Sequence, residues 1–173
     1  MAKKVADQLV DTLEKAGVRR IYAVTGDSLN EVNEAVRKNG RLRWIHVRHE
    51  ETGAYAAAAE AQLTGELACC AGSSGPGHVH LINGLYDAQR SGARVLAIAS
   101  TIPSREFGTE YFQETNTIKL FDDCSYYNQV ATTPEQFPRM LQGAMQAAIS
   151  SCGVGVIGLP GDLAAENATA GLS

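Results

Sequence analysis

Arg48-His49-Glu50-Glu51 leads into the small-residue run Thr52-Gly53-Ala54-Tyr55-Ala56-Ala57-Ala58-Ala59, and Ala71-Gly72-Ser73-Ser74-Gly75-Pro76-Gly77 follows soon after. The first segment puts a carboxylate, Glu50, where a strand runs into an alanine-rich helix. The second is a glycine-proline loop that follows a short apolar strand and opens another helix. In a doubly wound sheet such turns lie at the carboxyl edge, where ligands bind. Glu50 can give and take a proton, and the glycine loop lets a flat ring approach the backbone closely. Together they suggest a cofactor half-site. Taken alone, the carboxylate better suits a solvated helix start, where the dipole favours negative charge.

The elements that must hold these segments follow from periodicity. Val5, Leu9 and Leu13 recur at helical spacing, and Gly17 closes that helix. Ser28 with Glu31 reads as a capping box opening a second helix, which Gly40 ends. Further helices are expected at 51–63, 78–91 and 116–121, and from Thr133-Pro134 with Phe137, Leu141, Ala144 and Ala148 on one face. Strands are expected at 21–24, 42–47, 67–71, 95–99, 126–130 and 154–159. Residues 101–115 carry Pro103, Gly108 and three aromatics and read as a long ordered loop, a feature that is usually functional. The alternation implies an α/β fold: a doubly wound, mostly parallel six-stranded sheet with helices on both faces. Residues 1–163 form one domain, and the small, polar 164–173 reads as a linker or disordered tail.

Composition narrows the class. The chain has 173 residues, 45% hydrophobic and 20% charged, with a net charge of −4. That fits a single soluble domain with a sizeable core. No lysine or arginine cluster offers a phosphate-tracking stripe, so nucleic acid is not an expected partner. No apolar run reaches bilayer length, and no secretory signal precedes the first helix. Cys69, Cys70, Cys124 and Cys152 lack CxxC spacing; buried free thiols in a reducing cytoplasm are the expectation, with Cys69 and Cys70 facing opposite sides of a strand.

Three motifs fail on context. Gly26-Asp27-Ser28-Leu29 spells an esterase nucleophile block, but no histidine follows His80 to act as its base. Gly72 to Gly77 has phosphate-loop glycines, yet His78 stands where the lysine is required. His46 and His49 straddle a strand end without ligand spacing, so no metal site is expected.

What survives resembles the N-terminal pyrimidine-binding domain of thiamine diphosphate enzymes of the pyruvate oxidase and acetolactate synthase group, most nearly the bacterial pyruvate:quinone type. The resemblance runs through Val24-Thr25-Gly26-Asp27-Ser28-Leu29-Asn30, Arg48-His49-Glu50-Glu51, Cys70 to Gly77, His80-Leu81-Ile82-Asn83-Gly84-Leu85, Tyr111-Phe112-Gln113-Glu114 and Leu159-Pro160-Gly161-Asp162. It implies that Glu50 is the catalytic glutamate, hydrogen-bonded to N1′ of the cofactor's aminopyrimidine. It implies that Ser73, Pro76 and His80 border that ring, and that Thr25, Gly26 and Asp27 form a turn near the active centre. Phe112 and Gln113 match a substrate-side loop. His80 stands where many relatives have asparagine, and Thr25 where they often have proline.

The resemblance further implies oxidative decarboxylation of pyruvate, a 2-keto acid, to acetate and CO2, with electrons passing to quinone. The diphosphate, Mg²⁺ and FAD would be held on other domains, since neither Gly26-Asp27-Ser28 nor Gly161-Asp162-Leu163 completes a Gly-Asp-Gly motif. The active site would form with the diphosphate-binding domain of a second subunit in a homodimer or tetramer, with self-association through the helix after Glu50. Such an enzyme is cytoplasmic, its full-length form peripheral at the inner membrane face, and this domain alone would be silent. The alternatives are the same domain of an acetolactate synthase-like or other 2-keto-acid decarboxylase, and a non-catalytic assembly domain.

Overall fold

The computed structural model describes residues 2–169. The chain runs α1 (Val5–Lys15), β1 (Arg20–Ala23), a 3-10 turn (Asp27–Leu29), α2 (Asn30–Asn39), β2 (Arg43–His46), α3 (Glu50–Thr64) and β3 (Ala68–Gly72). It continues through α4 (Pro76–Val79), α5 (Ile82–Ser91), β4 (Val95–Thr101), α6 (Thr117–Phe121), β5 (Tyr127–Val130), α7 (Phe137–Ser151), β6 (Val154–Pro160) and α8 (Gly161–Ala165). The six strands pair in the order β2-β1-β3-β4-β6-β5, every pairing parallel. The fold is therefore the expected doubly wound α/β sheet.

Burial follows position in the sheet. Central β4 and β6 are buried along their whole length and read as continuous apolar runs, as covered parallel strands do. The edge strands β2 and β5 are partly exposed. Two cores flank the sheet. One packs α1, α2, α7 and α8 on Ile21, Cys69, Ile98 and Ile157; the other packs α3, α5 and Phe121 on Cys70, Ala97 and Val156. Cys69 and Cys70 thus face opposite layers, as strand alternation requires. Burial pushes the Cys70 thiol up to about 12 and that of Cys124 up to about 11, which leaves both inert at neutral pH. Cys152 departs from the expectation: it is exposed, just beyond the end of α7.

The contribution of α3 to the second layer is made of small side chains. Gly53, Ala54, Ala57, Ala58 and Ala61 of α3 are all buried. A Cβ on Gly53 would stand 3.1 Å from the Tyr22 carbonyl oxygen, and one on Gly84 only 2.5 Å from Ala54 Cβ and 2.7 Å from the Tyr55 nitrogen. The buried side of this small-residue run is covered by β1, β3 and α5 of the same chain, while Tyr55 and Ala59 on its other side are exposed.

Four boundaries differ from the sequence reading. The helix expected over 78–91 is broken into α4 and α5 at His80-Leu81. α7 begins at Phe137 rather than at Thr133-Pro134, which form the preceding turn. Ser28 lies inside the 3-10 turn and caps nothing, because its hydroxyl is drawn to the β3 loop. The stretch from Ala164, expected to be a linker, is seated as far as Thr169. Ala164 is buried in α8, Val5 N–H donates to the Glu166 carbonyl, Ala168 N–H donates to that of Lys3, and Thr169 Oγ1 donates to that of Pro134. Residues 170–173 of that expectation lie outside the described residues.

Gly84→Ala tests the seam between α3 and α5. Alanine gains about 1 kcal/mol of helix propensity, but forcing a methyl into backbone costs about 1–3 kcal/mol. The net loss is then up to about 2 kcal/mol, so the urea midpoint should fall; a higher midpoint would show that the helices are free to part.

Candidate active site

The sheet order reverses at β1, with β2 on one side and β3 on the other. This is the switch point at which the loops after β1 and β3 diverge and leave a crevice. The loops after β1, β2 and β3 supply Thr25-Gly26-Asp27-Ser28, His49-Glu50 and Ser73 to Gly77, respectively.

Glu50 is the first residue of α3 and is buried, 7% exposed. His49 caps the helix, its Nδ1 accepting the Glu51 N–H at 3.3 Å. One Glu50 oxygen, Oε2, lies 3.1 Å from His80 Nδ1. The other faces Gly77, where a Cβ would stand 3.3 Å from Oε1 and 3.1 Å from Ser73 Cβ. Gly77 thus keeps the space beside the carboxylate free of any side chain. The His80 ring also stacks on His49, with centroids 4.4 Å apart and planes 24° from parallel.

Serines fix the loops around this point. Ser28 Oγ is 2.9 Å from Ser73 Oγ and accepts the Ser74 N–H at 2.9 Å. Ser100, at the end of β4, donates to the carbonyls of Ser28 at 2.8 Å and Leu159 at 3.0 Å. Gly26 presses on the Ser73 side chain, so no residue with a Cβ fits there unshifted. Gly75 turns the loop with φ +65, a conformation glycine adopts at no steric cost. Ser74 Oγ donates to Gln113 Oε1 at 3.0 Å, tying the 102–116 loop to the crevice. A rim cavity of about 160 Å³ opens there between Ser28, Ser74, Pro103, Tyr111 and Gln113.

His78, one turn into α4, is buried and bridges two other elements. Its Nδ1 donates to the Ser100 carbonyl at 2.7 Å, which leaves Nε2 to accept the Thr115 hydroxyl. Burial holds its pKa below the ordinary histidine value, partly opposed by the Ser100 carbonyl.

Of the residues singled out in the sequence, Glu50, Ser73, Gly26 and His80 come together, with Gln113 held at the edge. Pro76 opens α4 and is exposed. Thr25 is exposed, and the Asp27 carboxylate accepts the adjacent Ser28 N–H, closing its own turn. Phe112 is 82% exposed, its ring beside that of Tyr111 with centroids 5.0 Å apart. Sequence reasoning missed His49, which it paired with His46; the ring beside it is His80, brought in from α4. A larger groove of about 540 Å³ lies at the ends of β4 and β5, lined by Thr101, Phe107, Thr115 and Val130, and does not include Glu50.

Residues 3–120 match the family model described as "Thiamine pyrophosphate enzyme, N-terminal TPP binding domain". The chain belongs to this family. It is 55% identical over 96% of its length to an "Uncharacterized 42.6 kDa protein in isoamylase 3'region" of Pseudomonas amyloderamosa, covering 42% of that protein. It is 38% identical over 90% of its length to a pyruvate oxidase of Lactiplantibacillus plantarum, covering 26% of it. To an acetolactate synthase of Brassica napus it is 33% identical over 86% of its length, covering 23%. The chain thus spans less than half the length of each of these relatives. Among the described residues no helix is long and apolar enough to cross a membrane.

A buried neutral His78 makes stability depend on pH. Its pKa is lower folded than unfolded, so the unfolded chain binds more protons below the ordinary value of 6.5. Its contribution is intact above that pH and is lost as pH falls toward the folded pKa. Denaturation midpoints at pH 7.5 and 5.5 should differ, and the difference should shrink in His78→Gln; an undiminished difference would assign it to other groups.

Proposed function

We propose that this chain is the pyrimidine-binding half-site of a thiamine diphosphate- and FAD-dependent enzyme that oxidatively decarboxylates pyruvate, yielding acetate and CO2 with electrons passed to quinone. The observation that carries the reading is Glu50: a buried carboxylate at a helix start, with one oxygen on His80 and the other beside a bare glycine. Such a donor set suits a neutral, flat nitrogen heterocycle, and Gly77 presents bare backbone beside the carboxylate.

Thiamine diphosphate, when bound, would supply an acidic carbon able to serve as nucleophile and electron sink for a 2-keto acid. The work of this chain is to hold the aminopyrimidine and move a proton. Glu50 shares a proton with the ring's N1′ atom, which makes the ring's amino nitrogen a competent base. His80 fixes the second carboxylate oxygen, so the first alone is aimed at the ring. Ser73 and Pro76 border the ring, and the Thr25-Gly26-Asp27 turn closes the crevice floor. Phe112 and Gln113 lie on the substrate side, where the exposed Phe112 ring meets a partner surface.

That surface belongs to the diphosphate-binding domain of a second subunit in a homodimer or tetramer. Mg²⁺ and FAD sit on domains other than this one. The enzyme works in the cytoplasm, its full-length form peripheral at the inner membrane face. The greater identity to the pyruvate oxidase favours this reaction. The acetolactate synthase-like reading retains the same half-site and is favoured by similarity over 86% of the chain. Measuring acetate and acetolactate formed from pyruvate, with and without an artificial electron acceptor, separates the two.

The decisive variants are Glu50→Gln and Glu51→Gln in an enzyme carrying this domain together with its diphosphate-binding domain. Deuterium exchange at the cofactor's C2, followed by quenched-flow NMR, should slow by roughly 10²–10⁴-fold for Glu50→Gln. Glu51→Gln should do far less, because the Glu51 carboxylate accepts from Asn83 Nδ2 on the exposed face of α5. The reverse ranking would sink the assignment.

A further inference from the structure

The histidines around Glu50 make a donor set of a second kind. His49, Glu50 and His80 each offer one ligand atom, and the three atoms lie within 4.8 Å of one another. His80 Nδ1 and Glu50 Oε2, 3.1 Å apart, are already at the separation of neighbouring ligands on a small tetrahedral ion, roughly 3.4 Å for metal–ligand bonds near 2.05 Å. The two imidazoles are half-exposed, with 47% and 43% of their side-chain surface open, so rotation about their own torsions can draw in the third atom. The Glu51 carboxylate, 3.7 Å from His49 Nδ1, adds negative charge at the rim.

We propose that His49, Glu50 and His80 form a binding site for a single borderline divalent cation of the Zn²⁺ class, with water as the fourth ligand. Two imidazoles and one carboxylate match the three-protein-ligand sites of Zn²⁺. The same set is poor for Mg²⁺ and Ca²⁺, which take oxygen ligands in larger number. Two features limit the affinity. The positive end of α3 opposes a cation, an effect that the charges of Glu50 and Glu51 offset. A metal on His49 Nδ1 also displaces the Glu51 N–H from its cap. The site should therefore be micromolar rather than structural. The proposal stands on side-chain geometry and does not depend on the cofactor reading. Its consequence is that the ion and any ligand requiring the Glu50 carboxylate exclude each other.

The test is Zn²⁺ titration of the 173-residue chain, without thiamine diphosphate, by competition with a chromophoric zinc indicator. The expected result is one ion per chain with a dissociation constant on the order of 1–10 µM, about 7–8 kcal/mol of binding, undiminished by millimolar Mg²⁺. His80→Asn and His49→Asn, the latter retaining a helix-capping side chain, should each weaken binding at least tenfold. His46→Asn and Cys152→Ser, both at exposed positions outside the cluster, should leave it unchanged. Circular dichroism of every variant verifies that the fold is retained. No binding up to 100 µM Zn²⁺, or binding that survives both histidine changes, overturns the proposal.

Discussion

The position of Glu50 rests on how closely α3 can approach the sheet. A helix start is only as well placed as the helix behind it, and the face that α3 turns to the sheet and to α5 carries no apolar side chain larger than a methyl group. The absent side chains of Gly53 and Gly84 remove the two obstacles, one against the Tyr22 carbonyl and one against the α3 backbone. Interiors packed this tightly have little room to relax. A shift of α3 outward by one methyl thickness would carry Glu50 away from Gly77 and His80 together. The layer contributes less apolar area than one of leucines would, and the opposite layer, with its phenylalanine, leucine and isoleucine side chains, supplies the bulk of the core.

The crevice wall is held by polar contacts rather than by packing. Ser28, Ser73, Ser74 and Ser100 join the loops after β1, β3 and β4, and His78 extends the same network to Thr115. In a buried network, satisfied members strengthen one another and an unpaired one is costly. Each loop therefore stabilises its neighbour's conformation, and the Gly72–Gly77 loop is tied at Ser73, Ser74 and the following His78.

The sheet and its two layers were legible because strands buried on both faces and helices with one apolar stripe have distinct periods. The alternation of Cys69 and Cys70 and the strand-to-helix position of Glu50 follow from the same arithmetic. Ser28 was misread because a hydroxyl three residues before a glutamate satisfies the capping pattern, whereas its true partners lie 45 and 46 residues away. The pairing of His49 with His80 was hidden for the same reason: spacing along the chain cannot report a contact made across β3. The segment after α8 looked like a linker by composition, yet its backbone groups bond to the start of α1, and composition carries no information about backbone partners.

The electrostatics of the crevice argue for a division of labour. A glycine loop opening a helix is ordinarily an anion site, because free N–H groups and a long helix dipole point at it. Here α4 has four residues, too few for a sizeable dipole, and the side chain at the position a phosphate-loop lysine would take turns inward to the Ser100 carbonyl as a neutral imidazole. Glu50 and Glu51 stand across from the loop and would repel a diphosphate. The same glycines instead bring bare backbone up to a carboxylate, an arrangement suited to the flat, uncharged end of a ligand. A charged diphosphate would then have to be bound elsewhere, by a surface supplying the cations that this crevice does not offer.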